Sequence, residues 1–312
     1  MHCKKIVVSL AAASTAAAQR PEDTPICDYY TTALLKNNTA ENQYTLLTLL
    51  VNTVVIGNYT QPNVGVVVPG ILAAGKYNGT DVNLMPYFNG ELKSSNRGGK
   101  TGVAVNFLDG GGAAPLQKNM PADDPKSNQY FLLTHLYQFF GALLSCSEYG
   151  MGAFPDFGGH ASMYEVHKFM DLGPSELGYF IEQVALAASS FGVADSDVAV
   201  VGKALSGLFG MRCSPPATAI PAQGPQLQAI CIEDTCPLSP DAVCAKYMPA
   251  VEPQPNSTGA AGGTLNHSVT PTVTMSSPAT TTMGPTAVSQ AGAAATGLGM
   301  AAIAGGFAML ML

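Results

Sequence analysis

Apolar residues recur at three- and four-residue steps in the second half of the chain, and this pattern predicts two neighbouring amphipathic helices. Such spacing places one apolar stripe along each helix. Stripes of this kind pack on each other or on something inserted between them. The positions that carry the repeat are Leu177, Phe180, Ile181, Val184, Ala188 and Phe191 in the first helix, and Val198, Val201, Leu205, Leu208 and Phe209 in the second.

Three more helices are predicted upstream of this pair. A long apolar helix runs from Tyr130 to Ser145, and after a Gly-rich loop a short helix carries His167 in SMYEVHKFMDL. Earlier in the chain, Thr39 has the character of an N-cap, and the helix from Tyr44 to Ile56 ends at Gly57. The pattern therefore predicts a mainly α domain.

Residues 62–125 form a long insertion that is rich in Gly and Asn and has no helical period. Its apolar pieces VGVVVPGIL and GVAVNFL are strands or buried loop, and DGGG predicts a turn. GKYNGT and NRGGKTG lack the spacing and flanking elements of a phosphate-binding loop. Because compact domains seldom carry plain loops of this length, we expect the insertion to pack over the helices.

The two ends of the chain predict export and attachment to a cell surface. Residues 1–18 have a basic start, an apolar run and an Ala-rich cleavage box, which together indicate a secretory signal peptide. Residues 293–312 are small and apolar with no basic residue after them, as in a glycosylphosphatidylinositol attachment signal at Ser289 or Gly292. A simple C-terminal tail anchor is the alternative.

Residues 251–292 are dominated by Pro, Ser, Thr, Gly and Ala, and this composition predicts a disordered, glycosylated stalk. N-glycosylation sequons also fit an exported glycoprotein of the plasma membrane or cell wall. They begin at Asn37, Asn58, Asn78, Asn256 and Asn266.

The cysteines indicate disulfide bonds within a domain that spans residues 19–250. The chain has seven cysteines, and removal of Cys3 with the signal peptide leaves six. An even count in an exported chain favours disulfides, whose pairing the sequence leaves open. A metal site in the last three lacks a nearby His, and the net charge of −7 argues against nucleic acid as a partner. The six are Cys27, Cys146, Cys213, Cys231, Cys236 and Cys244.

The order of parts in residues 130–213 resembles the truncated hemoglobins, the small two-over-two globin family. FFGALLSC ends a helix, a Gly-containing loop follows, and MYEVH then stands where the family has its short proximal helix. The series L-x-x-x-E-x-x-x-F-x-x-x-V and FGV-x-x-x-D-x-x-x-V continues the match. The resemblance implies a globin-like domain with heme as cofactor and His167 as the ligand of its iron.

The resemblance also implies roles around the heme. Leu132 and Leu136 occupy the usual distal polar positions, Phe140 lines the distal wall, and Phe88 packs on the heme edge. His135 or Lys168 contacts the propionates. The family's distal Tyr has no counterpart near Leu50–Asn52, so the resemblance favours nitric oxide or carbon monoxide over stabilised dioxygen.

Other reactive groups are few. The sequence has no G-x-S-x-G and no H-E-x-x-H motif, and His160, Glu165 and His167 lack a recognised ligand spacing. Glu176 and Glu182 are expected on solvated helix faces. Taken alone, His167 also suits a buried histidine bonded to a backbone carbonyl, and Phe88 suits an ordinary core position.

Two functions from different classes follow from these observations. The first is a surface-tethered heme protein that binds a diatomic gas or captures heme; whether it is also an enzyme stays open. The second is a heme-free structural or adhesive glycoprotein, since signal, stalk, sequons and anchor resemble those of fungal wall proteins. An open slot between the Tyr130 helix and His167 would favour the first, and a slot filled by Phe side chains and the long insertion would favour the second.

Overall fold

A computed structural model describes residues 20–257 of the chain. The predicted signal peptide, the attachment signal with Ser289 and Gly292, the sequon at Asn266 and most of the predicted stalk lie outside these residues.

The described part of the chain is mainly helical, as predicted from the apolar pattern, and contains one small β-hairpin. The hairpin consists of β1 (Gly75–Tyr77) and β2 (Thr80–Val82), which pair antiparallel. The helices are α1 (Ile26–Leu35), α2 (Ala40–Ile56), α3 (Met85–Phe88), α4 (Ala113–Leu116), α5 (Asn128–Leu143), α6 (Met163–His167), α7 (Pro174–Ser190) and α8 (Asp195–Phe209).

Polar side chains and glycine fix the ends of the long helices. The hydroxyl of Thr39 accepts a hydrogen bond from Asn42 N at the start of α2, and Ser127 does the same from Tyr130 N for α5. Each satisfies a backbone donor that the helix leaves unpaired. Gly57 ends α2 at φ 82°, where an added Cβ would lie 2.5 Å from Val68 O. Only glycine fits this close approach.

Two helix pairs build the core. Helix α2 packs against α5 and also against α7, and α7 pairs with α8. Leu47, Leu133, Tyr137 and Leu205 are among the residues that these contacts exclude from solvent. Helix α1 packs on α2 and is bound to the end of α5 by the Cys27–Cys146 disulfide.

The insertion packs over the helices and is more structured than its sequence predicts. Of the two alternatives for its apolar pieces, strand and buried loop, the structure has loop. VGVVVPGIL is an irregular segment in which Val68, Ile71 and Leu72 are buried, and GVAVNFL makes only isolated bridges, such as Ser95 with Val103. The hairpin instead turns at Asn78 in GKYNGT. The predicted DGGG turn is present, and α3 and α4 were not predicted.

Three disulfides confirm the predicted bonding and settle its pairing. Cys27 pairs with Cys146, Cys213 with Cys244, and Cys231 with Cys236. Within residues 20–257, no group of His, Cys, Asp or Glu is arranged to hold a metal ion.

The segment after α8 folds back onto the loops around α6. Ile230 N donates to Phe209 O, Ile232 N to Leu172 O, and Tyr164 N to Leu227 O. Residues 251–257 then pair with the insertion, because Lys93 N donates to Gln254 O. The ordered backbone therefore continues into the segment that was predicted as the start of the stalk. None of the helices in residues 20–257 combines the length and the apolar character that a membrane span requires.

Candidate functional site

An open cavity lies between α5, α6, the start of α7 and the insertion. Its empty volume is about 1150 Å³, counted out to the mouth. Most of the side chains on its wall are apolar. The wall includes Leu132, Leu136, Phe139 and Phe140 of α5, Met163, Val166 and His167 of α6, Met170, Leu172, Leu177 and Phe180 around α7, and Tyr87, Phe88, Asn96 and Phe107 of the insertion.

His167 is the last residue of α6 and lies on the wall of this cavity. Its Nδ1 atom donates a hydrogen bond of 2.7 Å to Met163 O, one helical turn earlier. No other hydrogen bond to this ring is found among the described residues. With the proton held on Nδ1, the lone pair is on Nε2, as a metal-ligating histidine requires. Burial lowers the pKa of His167, although the Met163 bond opposes the shift, so the ring is neutral at pH 7.

The wall contributed by α5 is apolar, as the resemblance implied. Leu132, Leu136 and Phe140 follow one another at four-residue steps and therefore share the face of α5 that borders the cavity. None of the three can donate a hydrogen bond. A ligand held between this face and His167 would meet only hydrocarbon on the α5 side.

The missing distal Tyr is not replaced by another polar group of α2. Asn52 is fully buried, and its side chain is used elsewhere. Its Oδ1 accepts a hydrogen bond from Tyr137 OH at 2.6 Å, and its Nδ2 donates to Leu116 O at 3.1 Å. These bonds join α2, α5 and α4.

The insertion forms a further wall of the cavity, and most of its residues there were not predicted from the sequence. Phe88, the predicted edge residue, lines the cavity together with Tyr87 of the same short helix and with Phe107. Asn96 lines it too, and its Nδ2 donates to the carbonyl of Glu165 in α6. The long insertion is therefore part of the site.

The two basic residues that were predicted to contact propionates do not line the cavity. The ring centroid of His135 lies 3.9 Å from that of Phe131 and 5.5 Å from that of Phe157. Burial first and the charge of Arg97 second lower the pKa of His135, so the ring is mostly uncharged at pH 7. Lys168 forms a 2.7 Å ion pair with Glu165. His160 is exposed, and its Nδ1 accepts a hydrogen bond from Ser162 N.

Glu176 is on the cavity wall, and the prediction that it is simply solvated is therefore incomplete. Its carboxylate accepts a hydrogen bond from Gly173 N at the start of α7. Burial, followed by the charge of Glu176, raises the pKa of Tyr87 to about 12. Glu182, by contrast, is exposed as expected. The sequence signal for Glu176 was its place two residues after Pro174, because acidic side chains there cap helices.

Further contacts hold α6 in place from the side away from the cavity. The fully buried Gln228 accepts a hydrogen bond from Met163 N and donates one to Ala161 O. Tyr164 is also buried, stacks edge-on against Tyr247 and accepts a hydrogen bond from Met248 N. His167 is thus presented by a short helix that the disulfide-bonded segment after α8 braces.

The residues around this cavity suit heme in two respects. Heme needs an apolar slot, one imidazole with a free Nε2, and a place for its carboxylates. The cavity provides the first two.

The chain matches no protein-family model, no curated protein and no solved structure.

Proposed function

We propose that this chain is an exported, surface-tethered heme protein with a globin-like, two-over-two domain, in which His167 binds the iron and the apolar face of α5 covers the opposite side. The observation that carries the proposal is the open cavity between α5 and His167. Five of the seven residues that the resemblance assigned to heme, all except His135 and Lys168, line this one cavity: Phe88, Leu132, Leu136, Phe140 and His167. The pairing of α2 with α5 and of α7 with α8 also supports the two-over-two arrangement.

The protein's own residues limit what the site does. Bound heme supplies an iron that takes a diatomic gas or exchanges an electron. Met163 O orients the imidazole of His167, and the leucines of α5 exclude water from the space opposite. Because the face of α5 donates no hydrogen bond, a ligand bound against it would favour nitric oxide or carbon monoxide over dioxygen, which needs such a donor for stabilisation. Capture of heme itself uses the same contacts.

An absorption spectrum of the full chain, secreted from a host cell and titrated with hemin, tests this proposal. We expect a Soret band that saturates at one hemin per chain. The variant His167→Ala should lose the ferrous five-coordinate spectrum, while the matched variant His160→Ala keeps it, because His160 is exposed on the loop before α6.

If the folded, oxidised wild-type protein takes up no hemin, the heme proposal is wrong. The same is true if His167→Ala binds hemin with an unchanged spectrum and affinity. A heme-free structural or adhesive surface glycoprotein would then be the remaining interpretation, and the sequons at Asn37, Asn58 and Asn78, which are exposed, fit it.

A further inference from the structure

Arg97 belongs to the insertion and lies near the cavity without lining it. It follows Asn96, which lines the cavity. Its guanidinium carbon is 4.7 Å from the ring centroid of Phe131 and 5.4 Å from that of Phe107. Phe107 lines the cavity, and Phe131 precedes Leu132, which also does. Two aromatic rings therefore hold this cation, and one of them, Phe107, is on the cavity wall.

The guanidinium group has no carboxylate partner within the part of the chain that the structure describes. Its Nη1 donates to Asn128 Oδ1, a neutral acceptor. A guanidinium carries five N–H donors in one plane, so most of them stay available while its face stacks on a ring. Arg97 is exposed to solvent and can therefore meet a ligand at the cavity mouth without first leaving an ion pair.

The other charged groups around the cavity are placed differently. Lys168 is neutralised by Glu165, and His135 is mostly uncharged. On the side of Tyr87 the charges are negative, because Glu176 is on the wall there and Asp171 and Glu233 act on the same tyrosine. The cavity is thus positive at the Arg97 edge and negative at the Tyr87 edge.

We propose that Arg97 is the carboxylate-binding subsite of this cavity, and that it sets the orientation of an apolar ligand that carries carboxylate groups. The inference rests on the proposed function, in which that ligand is heme, and it specifies which edge of the heme carries the propionates. The carboxylates lie at the Arg97 edge, where the planar guanidinium binds them through paired N–H groups. The hydrocarbon part of the ligand faces Tyr87 and Glu176, where a negative charge would be repelled.

Binding of two probes to the full chain tests this subsite. The probes are hemin and its dimethyl ester, which has the same ring and iron but no carboxylate. We expect Arg97→Gln to raise the Kd for hemin by about 3- to 10-fold and to leave the Kd for the ester unchanged, because an exposed charge-assisted contact is lost. Arg97→Lys keeps the charge without the planar donors and should recover part of the affinity.

The matched control is Lys100→Gln, which removes one positive charge from the same exposed loop. It should bind both probes as the wild-type protein does. Raised ionic strength should weaken hemin binding to the wild type more than to Arg97→Gln, because salt screens the charge of Arg97 and the variant lacks that charge.

The outcomes separate this inference from the proposed function. If hemin binds in a His167-dependent way but Arg97→Gln leaves its Kd unchanged, the carboxylate subsite is wrong and the heme site stands. Equal weakening of hemin and ester would assign Arg97 a structural role and also overturn the subsite. If the wild-type protein binds neither probe, both proposals are wrong.

Discussion

The Nδ1 atom of His167 lies 2.7 Å from the carbonyl oxygen of Met163, within the same short helix. The contact fixes the ring plane and the tautomer, so Nε2 carries the lone pair. Met163 is itself held by Gln228, whose Oε1 lies 3.2 Å from Met163 N. The orientation of the imidazole therefore depends on a segment that follows α8, far from His167 in the sequence.

If the role of the imidazole is to supply Nε2 to a bound iron, a free imidazole should replace it. We expect His167→Gly to lose the axial-ligand signature of bound hemin and to regain it when imidazole is added at millimolar concentration. The measurement is the absorption spectrum with and without imidazole. His160→Gly serves as the control and should show no response, and a folded His167→Gly protein that ignores imidazole would remove His167 from the ligand position.

The buried Tyr137–Asn52 hydrogen bond should contribute to stability and not to ligand binding. Tyr137→Phe leaves Asn52 Oδ1 without its 2.6 Å donor in a site from which water is excluded. We expect the free energy of unfolding to fall by about 1–3 kcal/mol, the cost of an unpaired buried acceptor. Urea unfolding measures this loss. Tyr77→Phe, which removes a hydroxyl with no hydrogen bond among the described residues, should be near neutral.

The disulfides should differ in their contribution according to the length of chain that each closes. Cys27–Cys146 spans 119 residues and Cys231–Cys236 spans 5. Loop-closure entropy gives roughly 5 kcal/mol for the first and roughly 2 kcal/mol for the second. All four cysteines are buried, so replacement by Ala leaves cavities of similar size in the two variants. Denaturant unfolding of the two double-Ala variants should rank them in this order, and a reversed ranking would mean that native contacts dominate.

Asp171 should destabilise the protein at neutral pH. Its Oδ1 is buried with no hydrogen-bond partner among residues 20–257. Burial first, then Glu233 and Glu252, raise its pKa. When folding raises the pKa of a carboxyl group, the group does not change the free energy of unfolding below its ordinary pKa. It lowers that free energy progressively as the pH rises through the pKa of the folded protein. The change Asp171→Asn should therefore stabilise at pH 7, and this advantage should vanish as pH falls toward about 4.

The size of that effect is limited by solvent, which screens part of the repulsion. We expect a gain of up to about 1 kcal/mol, measured as a higher Tm at pH 7 than for the wild type. Asn also tolerates the backbone φ of 48° at this position. The exposed Asp241→Asn is the control and should leave the Tm unchanged. A lower Tm for Asp171→Asn would show that its charge is stabilising.

The main helices and most of the cavity residues could be predicted because both depend on local sequence. Thr39 and Gly57 mark the ends of α2, and the four-residue spacing of Leu132, Leu136 and Phe140 fixes their common face. Helix α1 was missed, since Pro25 precedes it without a capping side chain and the helix is held by a distant disulfide partner.

The insertion shows where sequence reasoning was incomplete. Sequence spacing excludes GKYNGT and NRGGKTG as phosphate loops and leaves their structure unassigned. The first contains Asn78-Gly79, a pair that favours tight hairpin turns, and it forms the turn between β1 and β2. The second contains Arg97, whose position depends on Phe131, a residue that is remote in the sequence. Spacing alone carries no information about such contacts.

The apolar face of α5 predicts how the heme-bound protein discriminates between gases. Leu132 lines the cavity, and unlike Leu136 it does not also border the separate apolar cavity between α2, α7 and α8. Leu132→Gln should place one hydrogen-bond donor opposite His167 with little disturbance elsewhere. A donor stabilises bound dioxygen, which is strongly polarised, by about 1.5–3 kcal/mol, and it affects carbon monoxide much less.

We therefore expect dioxygen to dissociate from the ferrous Leu132→Gln protein at least about 10-fold more slowly than from the wild type, which corresponds to a dissociation barrier about 1.4 kcal/mol higher. Stopped-flow displacement of dioxygen measures this rate, and carbon monoxide dissociation from the same variant is the internal control. Equal slowing of both gases would indicate a steric effect. No change in either would mean that ligands bind away from the α5 face, and the assignment of that face as the distal wall would then be wrong.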